Sequence, residues 1–267
     1  MSSSDAAAGS IARADRLRGI TEVVLAEGTV RIEQLAERFD VSLMTVHRDL
    51  DELQARGLLR KQRGVATAQP TSLVEASDVY RQGRQVAEKA AIAALALQQI
   101  EPGQSVLLDD STTVAALAPR LHEQTPLTVI TNVLPLLNTL RSVPDLSLIA
   151  LGGSYVEWAS AFMGGVTNQA IRALRADLVL MSSAAVVDGV CFHPNPESVE
   201  TKRAMLDSAA RRVLLVDHTK FERRALHALA PVSEFDLVIT DAATPESTLE
   251  LLRAAGTDVL VAPSPVR

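Results

Sequence analysis

The 267-residue sequence has little of what marks secreted and membrane proteins. Its one cysteine, Cys191, excludes an internal disulfide and suits the reducing cytoplasm. The longest apolar run, residues 90–97, is too short to cross a bilayer. Residues 1–10 have neither the basic start nor the apolar stretch of a signal peptide. We therefore expect a cytoplasmic protein whose residues 1–12 form a disordered tail.

Aromatic residues and excess positive charge are also scarce. Only 3% of the residues are aromatic, so Ala, Leu and Val must form the core of a chain that is 47% hydrophobic and long enough for two domains. The formal net charge is −6, and residues 1–68 carry ten basic and ten acidic residues. A protein that binds nucleic acid non-specifically is expected to be basic. Any DNA binding must therefore depend on where a few cations lie.

Residues 41–59 predict a single helix with a start, a buried face and an end. Ser42 can cap the first turn, and Gly57 supplies the left-handed residue that ends many helices. Apolar residues recur at helical spacing along one face: Leu43, Val46, Leu50 and Leu53. The face that remains near the start carries Met44, Thr45, His47 and Arg48. Side chains of this kind at the beginning of a helix suit reading of the DNA major groove.

The segments on either side of this helix complete a DNA-binding module. An amphipathic helix over 31–39 ends at the short turn Asp40-Val41, which gives helix-turn-helix spacing, and an earlier helix is closed by Gly28. A basic run that ends at Gly64 predicts a β-wing whose cations lie along phosphates. The predicted DNA contacts are Ser42, Met44, Thr45, His47 and Arg48 for the helix and Arg60, Lys61 and Arg63 for the wing.

The rest of the chain predicts an α/β domain with a mostly parallel sheet. The winged module occupies 13–68, a linker 69–78, and the α/β domain 79–267, which starts with a helix to about residue 99. Continuous apolar runs, typical of strands buried on both faces, alternate with helical segments. The predicted strands are 105–108, 127–131, 146–151, 177–181, 212–216, 237–240 and 258–261. The helices between them are 113–122, 133–141, 167–175, 197–210, 221–229 and 246–255.

Polar residues follow the strands at their carboxyl ends, which parallel strands bring to one edge of a sheet. Hydroxyls, an amide, a glycine pair and a lysine at that edge predict a small, anionic, polyhydroxylated ligand. The predicted ligand contacts are Asp109, Ser111, Thr112, Thr113, Thr131, Asn132, Gly152, Gly153 and Lys220. Each short motif alone is more often a helix cap or a turn, and the hypothesis depends on their repetition at successive strand ends.

The first module resembles the winged helix-turn-helix of the DeoR family of bacterial transcriptional regulators. The family pattern V-S-x-x-T-[IV]-R-R-D-L-x-x-L-x-x-x-G-x-[LI] is met at Val41, Ser42, Thr45, Arg48, Asp49, Leu50, Leu53, Gly57 and Leu59. His47 stands where the family usually has the first arginine of the pair, and Gln62 to Val65 stand where the wing usually has His-Gly-Gly. Histidine cannot make the bidentate bond of a guanidinium group to guanine.

The second domain resembles the family's sugar-phosphate sensor, which looks like ribose-5-phosphate isomerase. The motifs appear in family order: Asp109 to Thr113, Thr131-Asn132, Gly152-Gly153, Gly164, Glu197 to Met205, Asp217 to Phe221 and Ile239-Thr240-Asp241. Ser111 replaces a phosphate-loop glycine, and Ser182-Ser183-Ala184 replaces a turn that usually contains glycine. The resemblance implies a homo-oligomeric repressor of a sugar or sugar-phosphate catabolic operon that binds double-stranded operator DNA and a phosphorylated sugar effector.

Three residue groups raise other hypotheses. Cys191 and His193 with His218 offer too few ligands for a common zinc site, and we expect no metal or cofactor. The run from Glu200 to Arg203 is interpreted as a solvated helix start with one ligand-facing or interface member. Asp188, with Glu197 or Glu200, could act as a general acid/base pair. The alternative function is therefore a sugar-phosphate isomerase-like enzyme fused to a DNA-binding module, although we favour a regulator without enzymatic activity.

Overall fold

The computed structural model describes residues 13, 15–24, 27–55, 59–68, 75 and 78–264. The chain divides into two compact units, Met1–Arg81 and Gln82–Arg267. The helices are α1 (15–24), α2 (Ile32–Arg38), α3 (Leu43–Ala55), α4 (Asp78–Gln82), α5 (Val86–Leu97), α6 (Thr112–Ala115), α7 (Leu134–Leu140), α8 (Gly165–Arg172), α9 (Pro196–Asp207) and α10 (Glu246–Ala254). The predicted tail, most of the predicted linker and Gly57 lie outside the described residues.

Fifteen strands belong to the described residues. They are β1 (Thr29–Arg31), β2 (Leu59–Gln62), β3 (Val65–Ala68), β4 (Ser105–Leu108), β5 (Leu127–Thr131), β6 (Leu146–Ala150), β7 (Ser154–Val156), β8 (Ala161–Met163), β9 (Ala176–Met181), β10 (Ala185–Val187), β11 (Val190–His193), β12 (Ala209–Leu215), β13 (His227–Pro231), β14 (Leu237–Asp241) and β15 (Asp258–Ala262). No described helix is long and apolar enough to traverse a lipid bilayer.

The first unit is a small helical fold with a three-stranded antiparallel sheet in the order β1-β3-β2. Its core is formed by apolar residues from all three helices and the sheet, including Ile20, Ile32, Leu35, Leu50 and Leu59. Asp40 takes a left-handed conformation, with φ of 49°, in the turn between α2 and α3. The helix-turn-helix prediction is confirmed, although Leu43 is 47% exposed and does not join Val46, Leu50 and Leu53 in the core.

The second unit is built on a seven-stranded parallel sheet in the order β15-β14-β12-β9-β4-β5-β6. These are the seven strands that the apolar runs predict, with ends shifted by up to three residues. Both faces of the sheet are buried: Val106 and Leu108 face one apolar cluster with helix α5, and Leu107 faces another with helices α8 and α9. The α/β fold class is therefore confirmed.

The structure corrects several predicted helices. The helix predicted over 79–99 is interrupted at residues 83–85, where Gln85 has a φ of 49°. The helix predicted over 221–229 is wrong, because residues 222–226 form neither helix nor strand and residues 227–229 begin β13, which pairs with β11. The segment 113–122 forms only a short α6 and a 3₁₀ helix, Ala118–Gln124. Two small antiparallel sheets, β7-β8 and β10-β11-β13, were not predicted.

Candidate DNA-reading surface and effector site

The exposed face of α3 carries the predicted base-reading residues. Met44, His47 and Arg48 recur at helical spacing and are all exposed, with Met44 73% accessible. The opposite face buries Val46, Leu50 and Leu53. The helix therefore has one face in the core and one free for a partner, as a groove-reading helix requires.

Ser42 and Thr45 hold the start of this helix. The Ser42 hydroxyl accepts a hydrogen bond from the Thr45 backbone N–H at 3.2 Å, which is the predicted cap. The two side-chain oxygens are also 2.9 Å apart and hydrogen-bonded to each other. Both hydroxyls thus already have protein partners, and Thr45 is half-buried.

The wing is a two-residue hairpin between β2 and β3. Gln62 pairs with Val65, and both turn residues, Arg63 and Gly64, have positive φ angles of 49° and 79°. This pattern is that of a type I′ turn, whose twist matches the twist of the strands. Arg60 and Arg63 are exposed, so their guanidinium groups are accessible to a ligand.

Lys61 differs from the other wing cations because α3 holds its ammonium group. The Nζ atom lies 2.6 Å from Asp51 Oδ1 and donates to the His47 carbonyl oxygen at 3.4 Å. The Lys61 backbone N–H also donates to Gln54 Oε1 at 2.7 Å. Lys61 therefore ties the wing to the reading helix, a role that the sequence analysis did not predict.

Asp49 is a buried charge at the centre of the first unit. It is 1% exposed, and its carboxylate lies 2.7 Å from Arg16 Nε and 3.5 Å from Arg13 Nε. These contacts join α3 to the N-terminal helix. The family motif Arg48-Asp49 thus combines an exposed cation with a buried structural anion.

The predicted effector residues lie at one edge of the second unit, after the carboxyl ends of the parallel strands. Asp109 follows β4, Asn132 follows β5, Gly152 follows β6 and Lys220 follows β12. Neighbouring strands are about 4.8 Å apart, so Asn132 and Lys220 start from strand ends separated by roughly 14 Å. Of these residues, Asp109, Asn132 and Lys220 are buried.

Asp109 is the most heavily bonded residue at this edge. Its carboxylate accepts from the backbone N–H of Ser111 at 3.0 Å and of Ser182 at 2.9 Å. Lys202 donates to the same carboxylate and lies 2.8 Å from Asp110 Oδ1. Asp109 is one of the predicted ligand contacts, and in the structure its carboxylate joins two loops and forms a buried ion pair.

Lys202 is the main site residue that the sequence analysis missed. It lies on α9 and is 3% exposed, and its neighbour Thr201 is buried and donates to Asn168 Oδ1 at 2.9 Å. The prediction of a solvated helix start allowed one non-solvated residue among 200–203, and the structure buries two of the four. Burial by itself would lower the pKa of Lys202, but the carboxylates of Asp109 and Asp110 outweigh it and raise that pKa. The ammonium group is charged at neutral pH.

Several predicted contacts have clear local structural roles. Ser111 caps α6 by accepting from the Val114 N–H at 3.2 Å. Thr131 donates to the Leu108 carbonyl oxygen at 2.9 Å, while Thr167 donates to that of Gly152 at 2.7 Å. Gly153 has a φ of 149°, and a Cβ atom there would lie 2.0 Å from the Thr167 hydroxyl. Thr112 and Thr113 are buried in the first turn of α6.

Two buried oxygen atoms at this edge have no hydrogen-bond partner among the described residues: Asn132 Oδ1 and Asp217 Oδ2. Each residue is 1% exposed. Asn132 donates through its amide nitrogen to the Phe162 carbonyl oxygen at 2.7 Å, which leaves its oxygen available. A buried acceptor without a donor is costly, so both atoms point to a ligand or water that supplies one.

Asp217 lies among cations. Burial by itself would raise its pKa, but the charge of Lys220, a hydrogen bond from Thr219 and the charge of Lys89 outweigh it and lower that pKa. The next residue, His218, faces Asp241 through Nδ1 at 2.9 Å and Gln85 through Nε2 at 3.3 Å. Because the carboxylate can only accept, Nδ1–H is the donor and Nε2 accepts from the Gln85 amide.

The proposed acid/base residue Asp188 lies in a different setting. It is exposed and forms, with Gly189, the turn between β10 and β11, with φ angles of 49° and 73°. In the structure Asp188 is therefore a hairpin turn residue. Glu197 lies near the other end of that β-structure, close to Gly164, where a Cβ would meet its Oε1 at 3.3 Å.

Comparison with known proteins matches a known domain to each of the two units. A DeoR-like helix-turn-helix domain matches residues 16–71, and a DeoR C-terminal sensor domain matches residues 84–242. The chain is 34% identical to the glycerol-3-phosphate regulon repressor of Escherichia coli over 89% of this chain and 94% of that protein. It is 32% identical to the transcriptional repressor AccR of Agrobacterium fabrum over 86% of this chain and 90% of that protein.

Among solved structures, a ribose 5-phosphate isomerase from Methanocaldococcus jannaschii aligns with 50% of this chain and 53% of that chain. The identity is 15% and the TM-score 0.37, a likeness that carries no functional argument. The two matched domains and the full-length relatives carry the assignment instead. This chain belongs to the DeoR family of transcriptional regulators.

Proposed function

We propose that this regulator represses a sugar or sugar-phosphate catabolic operon and that a phosphorylated sugar controls its binding to operator DNA. Residues 13–68 would read the operator, and residues 79–267 would bind the effector, in a homo-oligomer that acts in the cytoplasm. One observation carries the proposal: a chain with a DNA-reading fold also buries two acceptors that have no partner among the described residues, Asn132 Oδ1 and Asp217 Oδ2, at the carboxyl edge of its sheet.

The DNA half of the proposal rests on the exposed face of α3 and on the wing. Ser42, Met44, Thr45, His47 and Arg48 lie at the N-terminal part of the helix, the part that contacts bases in helix-turn-helix proteins. Arg60 and Arg63 are assigned to phosphates. Lys61 is assigned a weaker contribution to phosphate binding, because Asp51 already neutralises its charge.

The effector half rests on the chemistry of the buried groups. The unpartnered oxygens of Asn132 and Asp217 would accept from ligand hydroxyls, and Lys220 would supply positive charge to the phosphate. Ser111, Thr112, Thr113, Thr131, Gly152 and Gly153 would form the adjacent wall. The relative named for a glycerol-3-phosphate regulon supports an effector that combines hydroxyls with a phosphate.

We also propose that the protein is not an enzyme. Neither the acid/base candidate Asp188 nor the predicted ligand contact Asp109 is placed for the proton transfer that an isomerase needs. Asp188 is an exposed turn residue, and the carboxylate of Asp109 is taken up by Lys202 and two backbone N–H groups. The relatives named as repressors support the same conclusion.

The test begins with an operator selected from a random-sequence duplex library by the purified full-length protein. Replacement His47→Ala is expected to change base preference at one position by about 1–3 kcal/mol. Glycerol 3-phosphate and pentose and hexose phosphates are then tested for lowering of DNA affinity. Binding of the sugar phosphates can be followed by the fluorescence of Trp158, the single tryptophan, whose ring lies 6.1 Å from that of His193.

The replacement Lys220→Ala is expected to remove the effector response and leave operator binding intact. If no duplex is enriched, the regulator proposal fails. If a duplex is enriched but no sugar phosphate changes its binding, only the effector assignment fails. Interconversion of an aldose phosphate and a ketose phosphate that Asp188→Asn abolishes would favour the enzyme instead.

A further inference from the structure

The first turn of the reading helix exposes two large apolar side chains. Leu43 is 47% exposed and Met44 is 73% exposed, the largest exposed fraction among the described large hydrophobic residues. A single exposed apolar residue is common on protein surfaces and needs no explanation. Met44, however, lies on the face of the helix that is assigned to DNA.

The neighbours of Met44 define what it can contact. His47 and Arg48 follow it at three and four residues, so the three side chains form one exposed ridge. Ser42 and Thr45 bond to each other and to the helix backbone, which leaves their hydroxyls less available for bases. Met44 is therefore the more exposed of the two apolar side chains on the first turn, and it lies on the face predicted to read DNA.

The chemistry of methionine restricts its partner. The thioether has no N–H or O–H and is only a weak acceptor, so it cannot read the polar edges of the bases. The major groove offers one apolar group, the C5 methyl of thymine. An unbranched, flexible side chain fits against such a group without a fixed shape.

We infer that Met44 is a specificity-determining residue that contacts a thymine methyl in each operator half-site. The inference rests on the proposed DNA binding and goes beyond it, because it names the base and the atom that one side chain reads. It also assigns the polar part of the readout to the next turn, where His47 and Arg48 lie.

Replacement of single thymines by uracil in the selected operator tests the inference. Uracil lacks only the C5 methyl, so the polar edge of the base is unchanged. We expect one thymine per half-site whose replacement weakens binding of the wild-type protein about fourfold, the affinity equivalent of one buried methyl-sized group. Binding by Met44→Ala should be the same for thymine and uracil at that position, while Met44→Leu should keep the difference.

The neighbouring variant Leu43→Ala is the matched control and should still distinguish thymine from uracil. The inference is overturned if no uracil replacement weakens the wild-type complex, or if the loss persists in Met44→Ala. It is also overturned if Leu43→Ala, rather than Met44→Ala, removes the difference. A failure to select any specific duplex would instead contradict the proposed function.

Discussion

The pairing of Lys202 with Asp109 and Asp110 places three charges where water is excluded. Removal of one partner from a buried pair leaves an uncompensated charge, which costs about 3–5 kcal/mol. We therefore expect Lys202→Met to lower the free energy of unfolding by that amount, measured by urea denaturation followed through Trp158 fluorescence.

The adjacent Arg203 is the control for this prediction. Its guanidinium pairs with Asp207 and Glu234 at 2.6 Å each, but the side chain is 34% exposed. Exposed pairs contribute at most about 1 kcal/mol, so Arg203→Ala should have a small effect. Equal losses for the two variants would show that burial of Lys202 does not decide its contribution.

Cys191 predicts a pH dependence of stability. Burial raises the pKa of its thiol to about 12, whereas an unfolded thiol titrates near about 8.5. Above the unfolded value, the unfolded chain loses a proton that the folded chain keeps, so stability falls as the pH rises. Between about pH 9 and about pH 10 the expected loss is about 1.2 kcal/mol.

The variant Cys191→Ala isolates this contribution, because other groups titrate in both proteins. Urea denaturation at several pH values should give a difference between wild type and variant that shrinks with rising pH. A difference independent of pH would mean that the thiol ionises equally well in the folded chain, contrary to its burial.

The individual residues of the candidate effector site could be predicted from the sequence only in part. Asp109, Asn132 and Lys220 were placed at one edge because parallel strands end there, which is a rule about topology. Lys202 was missed because α9 carries charged residues on all sides, so the sequence did not mark the face that is buried. Which of these charges is buried depends on tertiary contacts, and for Lys202 these are the carboxylates of Asp109 and Asp110, which follow β4.

Whole helices and strands could also be predicted only where the local sequence determines them. The seven strands of the parallel sheet were predictable because strands buried on both faces are continuous apolar runs. The five short strands β7, β8, β10, β11 and β13 have no such signal. Residues 221–229 are rich in Glu, Arg, Ala and Leu, which favour helix, yet β13 forms because pairing with β11 overrides local propensity.

The wing hairpin gives a prediction at the scale of an element. Arg63 holds a left-handed conformation that Asn, Asp or Gly adopts more readily. The replacement Arg63→Asn should therefore stabilise the hairpin, by about 0.5–1 kcal/mol, and yet weaken binding to all duplexes alike. The slope of log affinity against log salt concentration should fall by about one phosphate contact.

Lys61→Ala is the comparison for this wing prediction. Its ammonium group is already paired with Asp51, so the change in salt slope should be smaller than for Arg63→Asn. A larger change for Lys61 would mean that it leaves Asp51 for a phosphate when DNA binds. Both slopes are measured by titration of the selected duplex at several salt concentrations.

At the scale of the whole molecule, regulation needs an effector that binds the two states of the protein with different affinity. The two units meet in sequence between Arg81 and Gln82, and three residues separate this boundary from Gln85, the N-cap of α5. Gln85 takes a left-handed conformation and bonds to His218 at 3.3 Å. His218 lies in the 3₁₀ helix, His218–Phe221, that also carries Lys220.

This hydrogen bond connects the proposed effector edge to the segment that leads to the first unit. If Lys220 changes its contacts when phosphate binds, His218 and Gln85 are the next residues to respond. We expect Gln85→Ala to retain binding of operator and of sugar phosphate but to reduce the factor by which the sugar phosphate lowers DNA affinity. One hydrogen bond corresponds to about a fivefold change in that factor.

The measurement is a titration of the selected duplex at zero and at saturating sugar phosphate, with Gln98→Ala as the matched control. Gln98 is exposed at the other end of the same helix and should leave the coupling unchanged. If Gln85→Ala has the same coupling as the wild type, the hydrogen bond between Gln85 and His218 does not carry the coupling. The effector must still bind for the test to count, so binding of the sugar phosphate is followed by Trp158 fluorescence on the same samples. A loss of that binding would assign Gln85 to the effector site rather than to the coupling.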